Sequence, residues 1–338
     1  MIEVYNQRVR NLISAGIVAV TAGVVAVTAG CAGAAAPPPP PQPPPPEPQV
    51  TVPATPAEPP PLPARTDFAV GESPMSVVVA GDTLVWTDGA GAIWTMPSAG
   101  GQPAQLTEQH SHGFMFHPVV AGGDAFVSTK RDFVRVTLPR GPVTKLGLAL
   151  AEDPEEVVAD AQSIYVTLFK RDSVMAIPAS GGAAKQVMTF RRGVLAQHGA
   201  TLYAISYATG ALVGVPVTGG TAKQIARGFV RPTALAVDDA AAFVYTEKDK
   251  TLRRVELATG AASVLAKDLE NSDDLVSDGV WLYTFSWPNQ LLRIAKDGSR
   301  RDVLADDLAS PYHIAVDERA IYVVSRDQGK IIRFAKRP

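Results

Sequence analysis

The stretch from Ser73 to Glu108, SPMSVVVAGDTLVWTDGAGAIWTMPSAGGQPAQLTE, decides the fold once it is laid beside two later ones. These are VRPTALAVDDAAAFVYTEKDKTLRRVELATGAASVLA from Val230 and DDLVSDGVWLYTFSWPNQLLRIAKDGSRRDVLA from Asp273. Each holds a short aliphatic strand, a turn rich in Asp or Gly and a second strand ending in Thr or Ser. A polar turn, a third strand, a Gly turn and a weaker fourth strand follow. Anchoring on the end of the second strand picks out Thr87, Thr129, Leu168, Ser206, Thr246, Ser286 and Ser325, at intervals of 42, 39, 38, 40, 40 and 39 residues.

A period near 40 with four short strands per unit is the signature of a β-propeller blade. Seven units fit between Ser73 and the carboxy terminus, which predicts an all-β, seven-bladed ring. The unit that starts at Ser310 stops after its third strand, and an open ring would leave a sheet edge unpaired. Residues 65–70, RTDFAV, are therefore expected to supply the missing outer strand and bring the two ends of the domain side by side. Gly100-Gly101, Gly181-Gly182 and Gly219-Gly220, with Gly141, Gly260 and Gly298, mark the turn before each fourth strand, where a tight hairpin needs positive φ. Asp160, Asp238, Asp278 and Asp317 recur after the first strand, as residues that bond their own backbone in a turn do, and not as catalytic acids.

The segment Leu84-Val85-Trp86-Thr87-Asp88 and the closing IAVDERAIYVVS resemble YWTD, NHL and TolB-like propellers. The resemblance covers residues 66–338 and implies the fold. The functions it implies range from receptor modules to lactonases and lyases, and it admits six blades as the alternative count, because many of those propellers have six.

Ahead of the repeats the chain has two unlike parts. Residues 1–30 carry Arg8 and Arg10, then an uncharged Ala/Val/Gly-rich run, which is the layout of a secretory signal peptide. Thr28-Ala29-Gly30-Cys31 resembles the lipobox of bacterial lipoproteins, with Thr28 where a large aliphatic residue is usual. The resemblance implies cleavage after Gly30, a lipid on Cys31 and attachment to the membrane through it. Ala32, where Asp would retain the protein, looks like the pattern that permits transfer to an outer membrane. The competing reading is an uncleaved anchor. Either places the rest of the chain outside the cytoplasm. Residues 31–63 hold 16 of the 29 prolines and read as an extended spacer, not a domain. Residues 64–338 are the propeller.

Composition excludes several functions. With 31 Lys+Arg against 33 Asp+Glu, the chain has a net charge of −2 and no electrostatic footprint for nucleic acid. One cysteine makes no internal disulfide and no multi-thiolate zinc site. There is no GxSxG elbow, Walker loop, HExxH or CxxC.

The connections leading into the innermost strands converge on one mouth of the channel. They nominate Ser76, His117, Glu155, Glu156, Gly193, Thr233, Asp273, Asp274, Tyr312 and His313 as a binding set. Its four acids and two histidines could bind a divalent cation, although a polar lining is also what a wet mouth requires. His110 and His112, with His117, form a second candidate metal cluster set against plain loop histidines. Arg191-Arg192, Arg253-Arg254 and Arg300-Arg301 read as solvated surface charges. Of the four tryptophans, Trp287 beside Pro288 is the one expected to be exposed. The sequence thus predicts an exported, lipid-anchored, non-catalytic binding module at the cell envelope, its partner an envelope protein, a glycan or a small ligand. A metal-dependent lactonase- or lyase-like enzyme at the mouth is the alternative.

Overall fold

The computed structural model describes residues 64–71, 73–107, 118–168 and 171–336. All of them fall in the compact unit Pro59–Pro338. The signal segment, Cys31, the proline spacer and His110, His112 and His117 lie outside the described residues. Among those described, no helix is long and apolar enough to cross a membrane.

Seven four-stranded antiparallel sheets make up the domain, so the count is seven and the six-bladed alternative is set aside. Blades 1 to 6 occupy residues 74–105, 118–145, 154–188, 193–226, 232–266 and 275–305. Blade 7 takes its first three strands from Pro311–Val316, Ala320–Ser325 and Lys330–Ala335. Its fourth strand is Arg65–Ala69, antiparallel to the third and in register from Arg65 opposite Phe334 to Ala69 opposite Lys330. The amino-terminal strand therefore closes the ring as the truncated last repeat required. Around it, Val70 N–H donates to Gly329 O at 3.0 Å, and Arg65 and Lys330 form ion pairs with Asp307 and Asp67 at 2.6 and 3.0 Å.

The second strands, such as Ala241–Thr246 and Ala320–Ser325, are buried along their whole length. Sequence alternation is lost there because both faces of a blade are covered by neighbouring blades. Apolar side chains gather into seven clusters, one at each blade junction. A row of seven sheets has six junctions, and only a closed ring has a seventh. The closing cluster sets Val77, Leu84, Trp86 and Met96 of blade 1 against Ala315, Tyr322, Val324 and Ile331 of blade 7. Trp86 is fully buried in it and stacks on Trp94 with centroids 6.2 Å apart.

The turn residues act as the sequence indicated, with one correction. Oδ1 of Asp160, Asp238, Asp278 and Asp317 accepts the N–H groups two and three residues on, at 2.6 to 3.0 Å. The glycines before the fourth strands have positive φ except Gly141. Space, not φ, selects Gly141, since a Cβ there would lie 2.6 Å from Thr137 O. The paired arginines lie at the surface, where Arg192, Arg253, Arg254 and Arg300 each also face a carboxylate.

A chain that begins at Gly71 lacks the closing strand. At about 1 kcal/mol per backbone hydrogen bond, it should lose roughly 3–5 kcal/mol and aggregate through the uncovered Lys330–Ala335 edge. Thermal melting and size-exclusion chromatography against the intact domain check this.

Candidate binding site at the channel mouth

Inner strands are launched from the mouth by a recurring device. Proline opens the strand at Pro74, Pro154, Pro232 and Pro311, each opposite the last residue of the second strand, where a missing N–H costs no ladder bond. The residue before it takes positive φ at Ser73 (48°), Arg231 (53°) and Ser310 (50°), as does Arg192 (28°) before Gly193. The carbonyls of these four accept N–H groups from just beyond the second strand of the same blade, from Gly89, Glu247, Arg326 and Tyr207, at 2.8 to 3.2 Å. The start of these four inner strands, in blades 1, 4, 5 and 7, is thereby pinned on the mouth.

Ser76, Glu156, Val194, Ala234, Asp274 and His313 occupy one equivalent position, beside the fifth residue of the neighbouring second strand. Register pairs Ser76 with Thr87, Val194 with Ile205, Ala234 with Tyr245 and His313 with Val324. Two of these side chains reach the next blade: Asp274 Oδ2 accepts Ile314 N–H at 2.6 Å, and His313 Nδ1 accepts Val77 N–H at 3.4 Å. Ile314 and Val77 are themselves equivalent, so the contacts are one motif repeated round the axis. Ser76 instead bonds Thr87 within its own blade at 2.9 Å. The residue its motif would serve is Pro118, which has no N–H to offer.

The structure thus brings Ser76, Glu156, Asp274 and His313 into one collar, with Glu155, Thr233, Asp273 and Tyr312 a residue further out. Gly193 belongs to it for steric reasons, since a Cβ there would lie 1.9 Å from Ile205 O. Below the collar the channel holds a cavity of about 350 Å³ lined largely by valines and alanines, with Gln197 and Ser277.

Charge in the collar is set by enclosure. Burial, reinforced by the nearby charges of Glu155 and Asp274, pushes the Glu156 carboxyl up to about 8. Burial pulls His313 down to about 4, so near neutral pH the ring is uncharged, with Nδ1 accepting and the proton on Nε2. Burial also raises Asp273, aided by the nearby charge of Asp274. Glu155 is tied to Arg192 at 2.6 Å through Oε1, while its Oε2 is buried without a hydrogen-bond partner. Among the described residues, no three His, Cys, Asp or Glu side chains are arranged to hold a metal ion. The carboxylates that the cation reading needed are partly spent on backbone N–H groups and on Arg192.

Comparison with known proteins agrees on architecture. No family model matches the chain, and no curated protein matches it in sequence. Solved structures do match. The β-propeller domain of Cps50 (Swd1) from Myceliophteria thermophila has a TM-score of 0.63 at 12% identity, covering 81% of this chain and 100% of that one. BamB from Moraxella catarrhalis gives 0.53 at 15%, covering 78% and 84%. A nidogen/laminin complex gives 0.52 at 14%, covering 60% and 85%. The chain is a β-propeller. Identities this low carry the fold and nothing finer.

Two features of the opposite end of the propeller escaped the sequence reading. Lys296 of blade 6 reaches Asp238 of blade 5 at 2.9 Å, and Lys336 of blade 7 reaches Asp278 of blade 6 at 2.6 Å. The shared interval of 58 residues between acid and lysine was the available signal.

The collar makes a signed prediction about pH. The Glu156 carboxyl is pushed up to about 8 in the folded protein from an ordinary value of 4.5. Between these values the unfolded chain releases a proton that the folded chain keeps, so this group lowers stability as pH rises from 4.5 to 8. His313, shifted down to about 4, acts oppositely, its stability cost growing as pH falls from 6.5 to 4. Glu156→Gln should therefore raise the melting temperature by several degrees at pH 8 and leave it near wild type at pH 4, as a melting series across pH would show.

Proposed function

We propose that this chain is an exported bacterial lipoprotein, held at the cell envelope through Cys31, whose propeller is a non-catalytic module that docks another envelope protein on its mouth face. The observation that carries this reading is the distribution of exposed apolar side chains. Of the six large apolar side chains exposed among the described residues, Tyr207 (38% exposed), Val230 (49%) and Trp287 (48%) sit in connections on the mouth face, across blades 4 to 6, while Val264 and Val303 lie on outer strands and Val280 at the opposite end. Both aromatic members of this set fall on the mouth face, and Tyr and Trp are the side chains that anchor interfaces best.

Chain direction adds a second support. Residue 64 lies at the end of the disc opposite the mouth, where Ala64 O accepts Ala335 N–H at 2.8 Å. The strand Arg65–Ala69 then runs toward the mouth to reach Pro74. The described part of the domain therefore begins at the end opposite the mouth face. The seven packed junctions make that face stiff, which limits the ordering cost of binding. One structural neighbour comes from a nidogen/laminin complex, so a chain of this general shape occurs in an assembly of two proteins.

Two variants test the parts of this reading separately. Cys31→Ser should move the protein from the membrane fraction to the soluble extracytoplasmic fraction, with loss of the lipid mass by mass spectrometry. A photo-crosslinker at Val230 in the intact, membrane-bound protein should yield one dominant adduct, and Trp287→Ala should reduce it about tenfold or more. An adduct pattern identical with and without Trp287 would exclude the mouth face as the docking surface.

A further inference from the structure

Between blades 6 and 7, at the end of the disc opposite the mouth, a cleft of about 670 Å³ opens. Its walls are the turns joining first to second strands in the two blades, together with Ala335 and Lys336. The volume is that of a small-ligand site.

Trp281 forms the wall on blade 6. It opens the second strand of its blade, a position held elsewhere by Thr83, Asp124, Ser163, Thr201, Ala241 and Ala320. Six blades close with a small or short side chain there, so the repeat itself does not require an indole. The ring is held in a fixed orientation: the Arg293 guanidinium lies 4.5 Å from its centroid and is anchored to Asp302 at 2.7 Å. Val280, next in the chain, is 67% exposed, and Val316, Ile321 and Ala335 add apolar surface.

Fixed polar groups sit beside this surface. The Lys336 ammonium donates to Asp278 Oδ2 and to Asp317 O, both at 2.6 Å, and lies 5.7 Å from the centroid of the Tyr283 ring, which fixes a cation in the wall of the cleft. The Glu318 carboxylate and the Ser277 hydroxyl supply acceptors and a donor at the rim. Asp278 stays ionised despite burial, because Lys336 and the N–H groups of Trp281 and Val280 hold its carboxyl below the usual range.

We propose that this cleft binds a saccharide. A sugar ring has apolar C–H faces that lie against an indole and a hydroxyl edge that both donates and accepts, and the cleft offers both kinds of partner. Charges of both signs, with Lys336 paired to Asp278 and Arg293 to Asp302, favour a neutral polyhydroxylated ligand over a strongly charged one. The site is distinct from the mouth face and does not depend on the docking reading.

The test is titration of the intact protein with three neutral probes, the linear trisaccharide of β-1,4-linked N-acetylglucosamine, cellotriose and maltotriose, followed by tryptophan fluorescence and calorimetry. At least one should saturate. Trp281→Leu keeps an apolar side chain at the blade junction and should weaken that probe at least tenfold. Glu318→Ala, on an exposed turn where folding is not at stake, should weaken it about threefold or more. Failure of all three probes to saturate, or saturable binding unchanged in both variants, would overturn the proposal. Crosslinking at Val230 reads the mouth face independently, so loss of one result leaves the other standing.

Discussion

The pairing of Arg65–Ala69 with Lys330–Ala335 holds the remaining architecture in place, because it converts a row of sheets into a ring. Each blade alone is a four-stranded sheet with two apolar faces, which is not soluble by itself. In a row, the first and last blades would each leave one such face in water. Closure removes both exposed faces at once by creating the seventh junction, where Trp86 and Met96 meet Tyr322 and Ile331. It joins residues more than 260 apart in sequence, so its loop-closure cost is met only when the whole ring has formed.

The same closure makes the mouth a site. The inner strands converge because the ring is complete, and the side chains at equivalent positions then see one another. Glu156 of blade 3 feels the charge of Asp274 of blade 6, although the two are far apart in the chain. The collar is at once structural and chemical. Asp274 and His313 secure the inner-strand N–H groups of the next blade, and Glu156 holds a titratable proton in an enclosed setting.

Repetition also gives a standard against which departures can be read. An Asp caps the first turn in four of the seven blades, and these four copies bond their own backbone as a structural turn residue does. Trp281 is a departure, a large aromatic where the other blades carry small or short side chains, and it stands in a cleft beside Lys336. Trp287 is another, left half exposed beyond a second strand while Trp86 is fully enclosed. Positions that the fold leaves free and the sequence fills with tryptophan are where binding is most economically placed.

The sequence alone determined the all-β class, the seven units, the turn acids and the origin of the closing strand, since each follows from local spacing and turn chemistry that survive in one dimension. It also nominated the mouth residues, because the start of an inner strand can be counted from the repeat. Tertiary structure alone decided which of those residues act on one another, that Gly141 and Gly193 answer to space, and that lysines 58 residues beyond Asp238 and Asp278 clamp adjacent blades. It alone disclosed the cleft at Trp281. These depend on distances between blades, and such distances are fixed only when the ring closes and every sheet takes its angle from two neighbours at once.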